Sequence, residues 1–414
     1  MTGFNHPALT RGQCFSILAG ASVSLSIAMG MRQSFGLFLG PITADLAISA
    51  SEFTLAIAVQ NILWGFVQPA VGALADKYGT RWIGIAGAIL YAIGLSITAV
   101  ADSFFLVMLG TGIVVGLALA CSSTSLAAKI AVRAVRPERW STALGIVSAA
   151  GSVGSFFAAL LAQSVIQSSG WRIALFAFVG LALAMLPGSF IAGRIDKIAY
   201  DKHAGPSQTA LGALREAGGH RGYIVMTSAF FVCGLQLIFL TTHLPTFLAT
   251  CGMDPILSAQ ALGMIGAFNI LGSWVLGWAG DHYPRRTLLG AVYLVRSLFI
   301  AVYFMLPVSV FSTLLFAAGM GFLWLGIIPL VNGLVAQIFG VRYIATLTGA
   351  AFMSHQVGSF LGAWGGGVIY DSLGNYDLAW QIAVLIGVIA GTMQLFMDTK
   401  PTRRMVAERA TAAA

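Results

Sequence analysis

The sequence predicts an all-α polytopic membrane protein, with twelve transmembrane helices in two pseudo-symmetric six-helix bundles. Three observations carry that expectation. Of 414 residues, 58% are hydrophobic and only 9% are charged, against about 25% charged in an ordinary soluble domain; the mean hydropathy is +0.88. At about 20 residues per crossing, the apolar content suffices for about twelve spans. Short segments of the first half also recur, in order, in the second. Twelve prolines and a weak period of two argue against a β-barrel, while 49 glycines suit helices that pack closely in lipid.

The spans follow from runs of apolar residues between charges or turns. The first, near 14–40, follows Arg11 and contains Arg32, and is too long for the apolar core of a cleavable signal. The second, 53–75, lies between Glu52 and Asp76, and the third, 82–101, between Arg81 and Asp102. The fourth, 103–128, ends at Lys129, and the basic connector Arg133, Arg136, Arg139 leads to the fifth, 141–167. The sixth covers 171–194. A polar stretch with Lys197, Asp201, Lys202, Gly205-Pro206 and Gly218-Gly219 then reads as a linker. Beyond it lie runs near 222–249, 257–280, 287–306, 309–338, 343–370 and 378–397, with Pro245 expected to break the seventh near its end. The expected units are residues 1–195, a linker 196–221, and residues 222–414 with a short tail.

Charge placement orients the chain. With the N-terminus in the cytoplasm, nineteen of the 22 Lys and Arg residues fall in cytoplasmic segments. The other side then holds Arg172 among Asp45, Glu52, Asp102, Asp254, Asp371 and Asp377. Such a bias places both termini inside. The net charge of +8 sits in connectors, without the basic stripe and interleaved aromatics of a nucleic-acid surface. Cys14, Cys121, Cys233 and Cys251 are too scattered for a disulfide framework or metal cluster. No phosphate-binding loop, zinc-protease motif or nucleophile elbow is present, so enzyme chemistry, a metal and a cofactor are not expected.

The repeats are specific. Gly72-Ala-Leu-Ala-Asp76, with Lys77 and Arg81, recurs 205 positions later as Gly277-Trp-Ala-Gly-Asp281, with Arg286. Val153-Gly154-Ser155-Phe156 recurs 204 positions later as Val357-Gly358-Ser359-Phe360, and Ser125-Leu-Ala-Ala-Lys129-Ile130 echoes Gly333-Leu-Val-Ala-Gln337-Ile338. A duplicated six-span unit is the pattern of carriers that rock two halves about a central site. The segment Gly72 to Arg81 resembles the loop signature of the major facilitator superfamily, and Gly277 to Arg286 its degenerate second copy. The resemblance covers the whole chain and implies that fold. It also implies a conformational latch at Gly72, Asp76, Lys77, Arg81, Gly277, Asp281 and Arg286.

Within that superfamily three segments resemble the monocarboxylate porter and oxalate/formate exchanger group, bacterial members especially: Gly30-Met-Arg32-Gln33-Ser34-Phe35-Gly36, Thr241-Thr242-His243-Leu244-Pro245, and Ser354-His355-Gln356. The resemblance implies substrate contact at Arg32 and Gln33, and places His355 where the exchangers carry a substrate-binding lysine. It departs at Asn269 and Ser273, where porters of this group carry an aspartate and an arginine. The Asp–Arg coupling pair is therefore absent.

Charge inside a span is costly, which directs attention to the same residues. Arg32 lies well inside the first run, and a guanidinium in a polar cavity suits a carboxylate; the alternative is snorkelling to the interface. Arg296 lies near mid-membrane on the ninth run and reads as structural. His355 is near the midplane of the eleventh, where an imidazole can change charge near neutral pH, or serve as a helix–helix hydrogen bond. His243 is expected to line the cavity or to sit at a structural kink, with Asn269, Asn332 and Gln356 completing a polar lining. The expected function is secondary active transport of a small organic anion, a monocarboxylate first, with a proton as candidate coupling ion. The expected setting is the lipid bilayer of a bacterial inner membrane, as a monomer without nucleic-acid partners. The alternatives are a drug or metabolite efflux carrier of the same fold, or a transporter-like sensor.

Overall fold

Capping boxes open three of the membrane helices: Thr10 with Gln13, Ser49 with Glu52, and Ser309 with Ser312. In each, a hydroxyl and a polar partner three residues on satisfy backbone N–H groups before the apolar run begins. The computed structural model describes residues 6, 8–136, 140–198, 210–340 and 344–406. Among these residues, eleven helical spans are long and apolar enough to cross a membrane. They are Arg11–Leu46, Ala50–Ala75, Thr80–Ala99, Phe104–Ala134, Ala143–Ser169, Trp171–Lys197, Arg221–Thr250, Pro255–His282, Arg285–Met305, Val310–Phe339 and Asp377–Leu395. Between the last two lies Ile344–Leu373, a helix of 30 residues. Its length suffices for a span, but Ser354, His355, Gln356 and Ser359 make it more polar. We count it as the eleventh span in chain order.

Each half is held by helices that approach closely at glycine. Gly154 on the fifth span packs against the Ser26 carbonyl of the first, and Gly358 on the eleventh against the Phe231 carbonyl of the seventh. A Cβ at either position would overlap the facing backbone. The repeated Val-Gly-Ser-Phe tetrad thus supplies the same contact in both halves, as expected where small residues let helices pack in lipid. Several spans are not continuous α-helix. The first passes into a 3-10 turn at Phe35–Phe38, and the fourth contains a π-helical stretch at Met108–Val114. The seventh runs unbroken as Arg221–Thr250, contrary to the break expected at Pro245. The Thr241 carbonyl, which Pro245 cannot serve with an N–H, lies against Gly36 of the first span, so the freed acceptor is packed rather than exposed.

The two halves meet at one end and separate at the other. The described residues nearest the two ends pack on the ends of the fourth and tenth spans, the His6 N–H bonding the Ala134 carbonyl (2.9 Å) and the Thr402 N–H the Ile338 carbonyl (3.0 Å); the face that holds them is here termed the terminal face. On the opposite face the Asp371 carboxylate accepts hydrogen bonds from the backbone N–H groups of Ala50 (3.2 Å) and Ser51 (2.7 Å). It therefore caps the second span with a residue of the eleventh, in the position a helix dipole favours for an anion. Gly367 packs on Thr54 and Ser51 just below. Toward the terminal face, Gly72, Gly145 and Gly349 look into open space, with no heavy atom within 4 Å of a Cβ built on them.

The remaining linker residues fall into two described pieces. A 3-10 turn, Gly193–Lys197, ends the sixth span, and a short helix, Ala210–Gly218, precedes the seventh. Residues 199–209, on which part of the linker expectation rests, lie outside the described residues, as do Arg139 and Arg342.

Candidate functional site

About two thirds of the way along the first span the α-helix ends at Gln33, where Arg32 and Gln33 face the second and seventh spans. They line a cavity of about 240 Å³ together with Gly36, Gln60, Asn61, Ile238, Thr241 and Thr242. Arg32 donates from Nη2 to Asn61 Oδ1 at 2.7 Å, and its guanidinium stands 4.7 Å from the centre of the Trp64 ring. Arg32 Nε and Gln33 Oε1 are buried without a hydrogen-bond partner. Among the described residues no salt bridge involves Arg32. A cation whose protein contacts are an amide oxygen and an aromatic face keeps its capacity to bind an anion.

Asn61 also joins the halves. Its backbone carbonyl accepts from Gln356 Nε2 at 3.1 Å, and Gln356 Oε1 lies 3.1 Å from His355 Nδ1. A polar chain therefore runs from Arg32 through Asn61 and Gln356 to His355. His355 is buried between the rings of Phe230 and Phe352, at centroid distances of 4.8 and 5.7 Å. One turn nearer the terminal face, Trp64 and Phe352 meet edge to face at 5.2 Å across the two halves.

Other expected site residues are engaged elsewhere. His243 is fully buried, with Nδ1 3.1 Å from the Tyr376 hydroxyl and Nε2 2.7 Å from the Ala363 carbonyl. Both ring nitrogens are used, and the neighbouring Thr241 and Thr242 line the cavity instead. Asn269 accepts the Leu325 N–H at 3.0 Å and so caps a break in the tenth span. Asn332 is half-buried on that span and is not among the cavity-lining residues. Arg296 is buried and donates to the Leu323 carbonyl (2.9 Å) and to Cys233 Sγ (3.3 Å), a helix–helix bond within the second half.

The latch loop has a partner that sequence reading missed. Asp196, at the end of the sixth span, accepts from Thr80 N, Thr80 Oγ1 and Arg81 N, each at 2.9 Å, and lies 3.7 Å from Arg133. Gly79 adopts φ +90°, a conformation that favours glycine, and a Cβ there would crowd Asp196. Arg81 stacks its guanidinium 4.5 Å from the Phe190 ring. Lys77 is exposed, and Gly72 faces open space in this conformation. The side chain of Asp76 lies outside the described residues. In the second copy Asp281 pairs with Arg285 at 3.7 Å, Arg286 is exposed, and Gly277 makes an ordinary contact with Pro329. Gln60 and Asn61 were also missed, although two adjacent amides inside an apolar run are a signal of the same kind as Arg32.

Duplicated halves, a polar cavity between them and closure at one face define a secondary transporter. The family model described as Major Facilitator Superfamily matches residues 21–363, and the chain belongs to that family. It carries a small substrate through a lipid bilayer and is not an enzyme. It is 24% identical over 402 residues to monocarboxylate transporter 13 of Bos taurus, covering 95% of this chain and 92% of that protein. It is 25% identical over 330 residues to the sialic acid transporter NanX of Escherichia coli (strain K12), covering 78% of each. Among solved structures, a bacterial homologue of the human lysosomal transporter Spinster, in an inward-facing conformation, superposes with a TM-score of 0.72 at 16% identity. That match covers 94% of this chain and 97% of the other, and it concerns the fold.

Proposed function

We propose that this transporter carries a small organic anion, a monocarboxylate first, by alternating access across a bacterial inner membrane, with both termini in the cytoplasm. On that orientation the terminal face is cytoplasmic and the structure is inward-facing. The observation that carries the reading is Arg32: a half-buried guanidinium bonded to an amide, its Nε buried and unpaired, beside a cavity shared by both halves. A substrate carboxylate would pair with it, while Gln33, Thr241 and Thr242 bond the remaining oxygens. Two of the similar proteins are named for carboxylate-bearing substrates, a monocarboxylate and sialic acid. His355, linked to Arg32 through Gln356 and Asn61, is the group through which a proton could be coupled.

The test is uptake of labelled monocarboxylates and dicarboxylates into proteoliposomes, with and without a pH gradient. Saturable uptake of a monocarboxylate supports the reading. Transport confined to apolar cations or large neutral compounds would replace it with the efflux carrier.

A further inference from the structure

The segment that follows each half folds back on that half through matching bonds. After the sixth span, the carbonyls of Ile195 and Ile198 accept from Arg133 Nη2 at 3.3 and 2.9 Å. After the twelfth, the Thr399 carbonyl accepts from Gln337 Nε2 at 3.3 Å. Arg133 and Gln337 stand 204 positions apart, as do Ile195 and Thr399, which is the offset of the repeated tetrad. The next residue differs between the halves. Asp196 is a carboxylate that caps the start of the third span, whereas its counterpart is Lys400, and the ninth span begins without a side-chain cap. The tail is held by its backbone instead. The Lys400 carbonyl accepts from His220 Nε2 at 3.0 Å, and the Asp398 carbonyl lies against Gly222, where a Cβ would overlap it. Farther along, Arg404 bonds the Phe339 carbonyl (2.8 Å) and Glu216 of the linker helix (3.2 Å).

His220 is half-buried at the start of the seventh span, with its ring 5.5 Å from that of Phe339 at the end of the tenth. Its Nδ1 accepts the Tyr223 N–H at 3.4 Å and so caps the helix. Both partners of the ring are backbone groups, one a donor and one an acceptor, and neither can exchange roles. The two bonds together therefore require a neutral ring with its hydrogen on Nε2. A second proton would set an N–H against the Tyr223 N–H and place a cation at a helix start, where the dipole opposes it. Among the described residues, the ionisable groups on the elements around the ring are Arg221 and Tyr223 on the seventh span, Arg215 and Glu216 on the linker helix, and Asp398, Lys400, Arg403 and Arg404 on the tail. Both acids are engaged elsewhere, Glu216 with Arg404 and Asp398 Oδ1 with the Lys400 N–H at 2.9 Å.

We propose that His220 is an acid-released clamp: its neutral ring pins the tail to the start of the seventh span, and protonation frees the segment around Lys400. The first half fixes the corresponding segment with a carboxylate, and the second half with a group that titrates near neutral pH. Release is local, because Thr402 and Arg404 still hold the tail to the tenth span. The clamp lies on the terminal face and does not depend on the identity of the substrate.

The test is continuous-wave electron paramagnetic resonance of a nitroxide attached at Lys400→Cys, since Lys400 is exposed and joins the clamp through its backbone alone. The full-length chain carries Cys251→Ser as well, which removes the exposed cysteine. The spectrum should be immobilised at about pH 8 and gain a mobile component at about pH 5, on either side of the range where an imidazole ordinarily titrates. The change should reverse on return to the higher pH. His220→Asn keeps a residue that caps helix starts but does not titrate in that range, so its spectrum should be the same at both pH values. His282→Gln, which alters the exposed histidine at the end of the eighth span, should keep the response of the parent chain. A spectrum that stays immobilised at about pH 5, a pH response retained in His220→Asn, or one lost in His282→Gln would overturn the proposal.

Discussion

Asn61 sets the charge state of the site by being an amide rather than an acid. It accepts from Arg32 at 2.7 Å without neutralising it. Asn61→Asp would place a carboxylate in that position and create an internal ion pair. The variant should fold, yet lose most substrate binding, since a permanent partner competes with the anion; isothermal titration against the transported carboxylate reads this directly. His355 belongs to the same chain of contacts through Gln356. His355→Gln should make transport insensitive to an imposed pH gradient, read by comparing uptake with and without the gradient. Arg32 and Gln33 were legible in the sequence because charge within an apolar run is conspicuous. The roles of His243 and Asn269 were not, because both depend on acceptors and donors remote in sequence: the Ala363 carbonyl, the Tyr376 hydroxyl and the Leu325 N–H. A polar side chain inside a span signals that it has a partner, but not whether that partner is substrate or protein.

At the scale of the helices, the duplicated tetrads explain why the repeats could be read at all. Gly154 and Gly358 occupy backbone-to-backbone contacts, whereas Gly145, on the same helix as Gly154, faces open space. Gly154→Ala should therefore lower the thermal midpoint by an amount corresponding to about 1–3 kcal/mol of overpacking, while Gly145→Ala should leave it unchanged or slightly raised. Differential scanning fluorimetry of the two variants side by side makes the comparison. The approximate positions of the spans followed from hydropathy, although the first and fourth run past the expected ends at 40 and 128 to Leu46 and Ala134; the interruptions did not. The π-helical stretch in the fourth span accompanies a bond from Gln60 to the Thr111 carbonyl (3.0 Å), a long-range contact that no local pattern announces. Asp196 was assigned to a linker because it follows the last apolar residues of the sixth span, yet it caps the third.

For the molecule as a whole, the distribution of contacts describes one state of a two-state carrier. Closure on the face opposite the termini rests partly on Asp371, which reaches from the second half to the N-terminus of the second span. Asp371→Asn retains an acceptor but removes the charge that the helix dipole favours. It should shift the population toward opening on that face, read as longer spin-label distances between residues near 50 and 371 by double electron–electron resonance. An unchanged distribution would assign the closure to the close helix packing of Gly367 on Ser51 and Thr54 instead. The central claim, however, is that the space between the halves receives a carboxylate at Arg32. The most direct measurement is carboxylate uptake and affinity for wild type, Arg32→Lys and Arg32→Gln reconstituted at equal density. Loss of one partner of a buried charge pair costs about 2–5 kcal/mol, roughly 30- to several-thousand-fold in affinity. Arg32→Gln should show that loss while inserting normally, and Arg32→Lys, which keeps the charge but not the planar fork, should retain partial function. Uptake by Arg32→Gln at near wild-type affinity would contradict the account.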